Sequence, residues 1–242
     1  GVTIRVGNYD DTASLDQAMQ EIDKVLLIAG TDEDKRVQQH MNVIDAAKKA
    51  GVQLVAYTSR ALNDRQTLAN KLMEGHFLTE DYLIASGLNY ALFRNILYMD
   101  AIPQFVGPTV FDTGIRLPAG QGRVAFALGN DMAEAMATVL ADESNATKIY
   151  TLTAGESYSF SDVAAALTSI SGKTVPYTPV EKSAFESQML ARGLPEQMVQ
   201  RVTGFMTDIA NGQEDQVRPD LEELLGRKPT SLEEGLKTLY NL

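Results

Sequence analysis

Residues 23–59, DKVLLIAGTDEDKRVQQHMNVIDAAKKAGVQLVAYTS, decide the fold. VLLIAG (25–30) is apolar without alternation, the pattern of a strand covered on both faces. From Asp34 to Ala50, Val37, Met41, Ile44 and Ala47 recur at helical spacing, and Gly51 stands where a left-handed residue closes a helix. VQLVAYTS (52–59) reads as a second strand. A strand, a helix and a strand joined by short links predict a parallel pair with a right-handed crossover.

The same alternation continues in both directions. Upstream, Val2, Ile4 and Val6 alternate with Thr3 and Arg5, which predicts a strand at the opening GVTIRVGNYDD. A helix over SLDQAMQEI (14–22) follows, with Thr12 or Ser14 as its cap. Downstream, a helix ends near IASG (84–87) and a fourth strand runs through LNYALFRN (88–95). The Gly- and Pro-rich segment 105–123 predicts an irregular stretch with a hairpin. Then come a strand at VAFAL (124–128), a capped helix over 130–143 and a strand at KIYTLTA (148–154). Beyond Gly155 the pattern is mostly helical. Ser159 and Asp162 have capping-box spacing, Gly172 ends that helix, and further helices fall near 181–192, 195–210, 219–225 and 231–240. The predicted class is α/β: a doubly wound, Rossmann-like parallel sheet over 1–154, with a smaller, mainly helical lobe over 155–242 at the sheet's edge.

Composition narrows the chemistry. The 242 residues carry a net charge of −11 and no cysteine. Disulfides, thiolate catalysis and Cys-based metal sites are therefore excluded, and the composition fits a reducing cytoplasm. An acidic chain repels nucleic-acid backbones and anionic lipid, and no apolar run approaches the ~20 residues of a membrane span. The expected partner is a small molecule, and the expected state a monomer or homodimer.

Open parallel sheets bind ligands beyond the carboxyl ends of their strands. Those ends are Asn8-Tyr9-Asp10, Ile28-Ala29-Gly30, Thr58-Ser59 and Arg94-Asn95, all small or polar apart from Ile28. The one near match to a dinucleotide glycine loop, Gly120-Gln121-Gly122-Arg123-Val124-Ala125, follows a turn and enters a strand, so it reads as a hairpin tip. His76 and Glu80 stand four apart on one helix face, without the H-E-x-x-H pattern of zinc enzymes. His40 reads as a hydrogen-bonded helix residue near the sheet. No G-x-S-x-G elbow and no Walker loop occurs. No Tyr is followed four residues later by Lys, so the usual catalytic pair of short-chain dehydrogenases is absent.

Taken in order, GVTIRVGNYDD, DKVLLIAG, QQHMNVIDAAKKAGVQLVAYTS, HFLTEDYLIASGLNYALFRNILYMD, KIYTLTAGESYSFSDVAAALTSISGK and LEELLGRKPTSLEEGLKTL resemble the NmrA-like branch of the atypical short-chain dehydrogenase/reductases. Within that branch the string resembles the bacterial NADPH:quinone oxidoreductases and triphenylmethane reductases. The resemblance implies that GVTIRVG is the family's third strand. It also implies that the first βαβ, with its G-x-x-G-x-x-G loop, lies outside this sequence, so that the chain is part of a longer protein. The cofactor implied is NADPH, with NADH as the alternative, because the selecting segment is absent. By position, Asn8 and Tyr9 would lie beside the adenine. Ile28, Ala29 and Gly30 would pass close to the ribose and phosphates, and Thr58 and Ser59 would stand beside the nicotinamide ribose. Arg94 and Asn95 would lie near the nicotinamide. His76 and Tyr98 are the implied catalytic residues; a neutral His76 would hydrogen-bond the acceptor oxygen, or else Glu80, one turn on, would orient its ring and raise its pKa to make it a proton donor. The implied reaction is hydride transfer to a quinone or similar conjugated electrophile held between the sheet rim and the helical lobe. The alternative is a non-catalytic NAD(P)-sensing regulator.

Overall fold

The computed structural model describes residues 2–32 and 34–242. In chain order the elements are α1 (Thr12–Ala18), β1 (Lys24–Leu27), α2 (Arg36–Ala50), β2 (Leu54–Arg60), α3 (Glu74–Ala85) and β3 (Tyr90–Asn95). These are followed by α4 (Ile102–Val106), α5 (Val110–Thr113), β4 (Arg123–Val124), α6 (Gly129–Ala141), β5 (Lys148–Leu152) and β6 (Tyr158–Ser159). The chain ends in α7 (Phe160–Ser171), α8 (Lys182–Ala191), α9 (Glu196–Ala210), α10 (Asp220–Leu225) and α11 (Leu232–Tyr240). Two compact units result. The first comprises Gly1–Arg60, Leu72–Arg94 and Met136–Tyr150, and the second Ala61–Lys71, Asn95–Ala135 and Thr151–Leu242.

The parallel sheet has the order β1-β2-β3-β5, and β1 meets β2 in register from Lys24↔Leu54 to Leu27↔Tyr57. All seven residues of β2 are buried, as a strand covered on both faces requires. The first unit's core gathers Leu15, Leu27, Val43, Ile44, Ala47, Val55, Leu83 and Leu92. Helix α2 turns Arg36, His40, Val43, Ile44 and Ala47 inward, so Val37 and Met41 lie half-buried at the margin of the expected stripe. Two polar side chains therefore occupy the buried face of this helix. Gly51 closes it with φ 75°.

Two expectations near the opening change. Residues 2–7 form no strand, and Val2, Ile4 and Val6 are 93%, 90% and 90% exposed. Alternation fixes which side chains share a face, but a ladder needs a neighbouring strand. Among the described residues none lies beside this segment. Helix α1 is capped by Asp11, whose carboxylate accepts from the Ala13 and Ser14 N–H groups, so the cap is neither Thr12 nor Ser14.

In the second unit, β4 and β6 pair antiparallel with Arg123 opposite Ser159. The expected strand over 124–128 is ladder-paired at Val124 alone. Ala127 makes only an isolated bridge with Tyr98. Ser159 and Asp162 form the anticipated capping box, and Gly172 ends α7 with φ 69°. Residues 61–71 are strapped to the end of α9. Asp208 accepts from the Ala69 and Asn70 N–H groups at 2.7 and 3.0 Å, and Gln213 exchanges hydrogen bonds with Asp64. Gly122 is small because a Cβ there would lie 2.5 Å from the Ile209 carbonyl carbon. This is a packing reason, consistent with a hairpin and not with a phosphate loop.

Gly122→Ala is therefore expected to lower stability by about 1–3 kcal/mol, the usual cost of overpacking. Gly155→Ala, where a Cβ meets open space, should change it by less than about 0.5 kcal/mol. Chemical denaturation of both variants checks the contrast, and equal midpoints would contradict it.

Candidate cofactor site

The segment after β1 is fixed by its own amides. The Ala29 N–H donates to Thr58 Oγ1 at 2.9 Å, and the Gly30 N–H donates to His40 Nε2 at 3.0 Å. The other ring nitrogen of His40 lies 2.9 Å from Thr79 Oγ1, and the Thr79 hydroxyl donates to the Gly75 carbonyl at 2.8 Å. The hydroxyl has one proton. With that proton on Gly75, Thr79 accepts from His40, which places the imidazole proton on Nδ1 and leaves Nε2 bare to receive Gly30. The four groups form one directional chain.

The surroundings keep that imidazole neutral. His40 is fully buried, and burial followed by the Arg36 charge pushes its pKa down to about 4. Arg36 is itself buried; it donates to the Leu72 carbonyl and lies so close to Gly75 that a Cβ there would come within 2.7 Å of its guanidinium. His76 is held well below its ordinary value, by burial first and then by Arg36, Arg60 and His40. It lies 3.0 Å from the Tyr57 hydroxyl and hydrogen-bonds the Thr58 backbone.

These contacts revise the reading of His76. Glu80 does not orient it. Glu80 is clamped by Arg94, whose Nε and Nη2 donate to the two carboxylate oxygens at 3.1 and 2.6 Å. The His76 pKa lies well below its ordinary value, so the rise expected from Glu80 is not found. His76 is a neutral, buried partner of Tyr57. Spacing on a helix put the two side chains on one face, but a guanidinium on β3 offers a carboxylate a stronger, bidentate bond than an imidazole does. The same clamp commits two of Arg94's nitrogens.

The remaining positions behave as follows. Asn8 Oδ1 accepts from the Asp10 N–H and shapes a turn. Tyr9 is half-buried against the core, its carbonyl accepting from Asn42 and its hydroxyl 3.5 Å from the Ile28 carbonyl. Ile28 is 62% exposed. Because the amides of Ala29 and Gly30 are consumed within the protein, neither is left as an N–H donor for phosphate. Ser59 Oγ is buried with no hydrogen-bond partner among the described residues. In the second unit, Asn95 donates its amide to the Tyr98 hydroxyl at 2.7 Å, while its own buried Oδ1 is unmatched.

The residues that sequence reading under-weighted are His40, Thr79, Thr58 as an anchor, and Arg36. The available signal was a polar residue on an apolar stripe: Arg36 and His40 each stand two turns before a buried apolar residue, Val43 and Ala47 respectively.

An NmrA-like family model matches residues 1–239. Quinone oxidoreductase 2 of Escherichia coli K12 is 33% identical over 243 residues, covering 100% of this chain and 84% of its own length. The chain belongs to the NmrA-like family. Among solved structures of the wider group, the E. coli NADPH-dependent quinone oxidoreductase in complex with NADPH superposes with a TM-score of 0.89 at 33% identity. It is covered over 84% of its length, with 100% of this chain aligned. Triphenylmethane reductase of Citrobacter sp. gives a TM-score of 0.90 at 30% identity, again with 100% and 84% covered. Among the described residues of this NmrA-like chain, no helix is long and apolar enough to cross a membrane.

The neutral imidazole has a pH signature. With a folded pKa near 4 against an ordinary 6.5, the unfolded chain takes up a proton between those values that the folded chain refuses. Stability is thus full above about pH 6.5 and falls as pH drops toward 4, by on the order of 3 kcal/mol from this group. Denaturation midpoints at pH 7, 5.5 and 4.5 should fall more steeply for the wild type than for His40→Gln; equal slopes would contradict the assignment. In the same assay Arg94→Met, which strands a buried Glu80 carboxylate, should cost about 3 kcal/mol at pH 7.

Proposed function

We propose that the chain is an NAD(P)H-dependent oxidoreductase that delivers a hydride to a quinone or a similarly conjugated small-molecule acceptor. The observation that carries this reading is Ser59 Oγ, a buried, unpartnered hydroxyl at the carboxyl end of β2, in a chain one-third identical along its whole length to a quinone oxidoreductase. A buried polar atom without a partner is costly, and a ligand hydroxyl would satisfy it. The orphaned Asn95 Oδ1 fits an amide donor in the same way.

The bound nicotinamide supplies the hydride. The protein's part is to bind and align. Tyr9, with Asn8 in its turn, flanks the adenine side. The Ile28-Ala29-Gly30 segment meets ribose hydroxyls with its carbonyls. Thr58 holds that segment, and Ser59 accepts or donates to the nicotinamide ribose. Arg94 keeps the end of β3 in place through Glu80. Asn95 presents its carbonyl oxygen to the nicotinamide side and steadies Tyr98, whose phenol lies toward the acceptor. His76 supports Tyr57 as a neutral residue. Reduction of a quinone yields an oxyanion that water can protonate, so a dedicated acid adds little. NADPH is the preferred donor, with NADH second, and the setting is the cytoplasm. Both named relatives above carry reductase names, which favours catalysis over a purely regulatory role.

Loss of reduced-nicotinamide absorbance with a simple benzoquinone or naphthoquinone tests the activity. Ser59→Ala and Asn95→Ala should each weaken NADPH binding about tenfold by fluorescence titration, the cost of one hydrogen bond to a buried group. Gly155→Ala should not. Tight binding with no turnover on any quinone would replace the enzyme by a sensor.

A further inference from the structure

We infer that His40 is a positioning residue for the cofactor: its bare Nε2 fixes the Gly30 amide, and so sets the shape of the 28–30 segment on which the nucleotide lies. This rests on the proposed cofactor reading and adds to it a residue one turn into α2 that meets no ligand. Three observations on the first unit support it. His40 is fully buried, so it acts only through its neighbours. Both of its ring nitrogens are engaged, with complementary roles fixed by Thr79 and Gly75. The adjacent amide, that of Ala29, is held separately by Thr58, so two successive N–H groups of one short segment are anchored from two different elements, α2 and β2.

Double anchoring has a functional consequence. A post-strand segment left to itself would turn its N–H groups toward an anionic ligand, as phosphate-binding turns do. Here the N–H groups of Ala29 and Gly30 are both taken by acceptors of the protein, which withdraws them from an anionic ligand. Gly30 sits close beneath this arrangement: a Cβ on it would lie 3.4 Å from Gln39 Oε1 and 3.8 Å from His40 Nε2. Releasing the Gly30 amide would let the segment rotate. The nucleotide would bind less tightly, while the reacting end, governed by other residues, would be unchanged once the site is filled.

Side-chain length separates this role from simple core packing. A glutamine amide reaches the place of Nε2 and can accept from Gly30. An asparagine amide reaches the place of Nδ1 and can meet only Thr79. Leucine fills the volume and meets neither. In the full-length protein, His40→Leu and His40→Asn are expected to raise the NADPH dissociation constant and the KM for NADPH about tenfold, with kcat at saturating NADPH within twofold. His40→Gln should recover most of the affinity. Thr79→Val, which removes the relay that sets the tautomer, should give an intermediate loss. Thermal melts run alongside separate folding from binding, and if the leucine variant fails to fold, the Gln–Asn pair still decides. Equal NADPH affinity across the series, with the wild type binding well, overturns the role of His40 alone. Recovery by Asn as good as by Gln would also overturn it. Absence of NADPH binding by the wild type would overturn the cofactor reading itself, and this role with it.

Discussion

A bare imidazole nitrogen receiving a backbone N–H is the bond on which the segment after β1 depends. It exists only if His40 is neutral and carries its proton on the other nitrogen. Three features enforce that state. Burial penalises the imidazolium. Arg36, one turn earlier on α2, adds a like charge that opposes protonation. Thr79, committed to the Gly75 carbonyl, can only accept from His40. The same Arg36 also keeps His76 neutral, and it lies against Gly75 where no side chain would fit. Burial first, and this one guanidinium second, thus keep two histidines neutral, and through them hold the backbone at Gly30 and the hydroxyl of Tyr57.

Much of this architecture was legible in the sequence because the relevant signals are local. The unbroken apolar runs of β1 and β2, the glycine after α2, and the Ser159–Asp162 capping box each depend on residues within a few positions of one another. The opening Val2-Ile4-Val6 alternation was as clear, yet it formed no strand, since pairing is a property of two segments and the pattern describes one. The carboxyl ends of β1, β2 and β3 fell where the sequence put them, while Asn8-Tyr9-Asp10 follows no strand. What each polar group does there was not legible, because partners come from elsewhere in the chain. Glu80 was four residues from His76 but chose Arg94, fourteen residues away. His40 and Gly30 are ten apart, on different elements, and no local spacing rule connects them.

The functional conclusion follows from combining the two kinds of information. Family membership and whole-length similarity to reductases indicate hydride chemistry on a nicotinamide. Geometry adds a set of internal hydrogen bonds in the first unit that fixes the backbone after β1. The neutral state of His76 moves it out of proton transfer and into support of Tyr57. That suits a reaction whose product oxyanion needs no strong acid.

The tautomer of His40 is the most direct test. Two-bond nitrogen–proton correlation spectra of selectively labelled histidine report which ring nitrogen bears hydrogen. At pH 7 the account predicts a neutral ring with its proton on Nδ1, Nε2 in the chemical-shift range of a bare acceptor, and no titration until the pH approaches 4. A proton on Nε2, or an imidazolium at pH 7, would set two donors against each other at Gly30 and contradict the account.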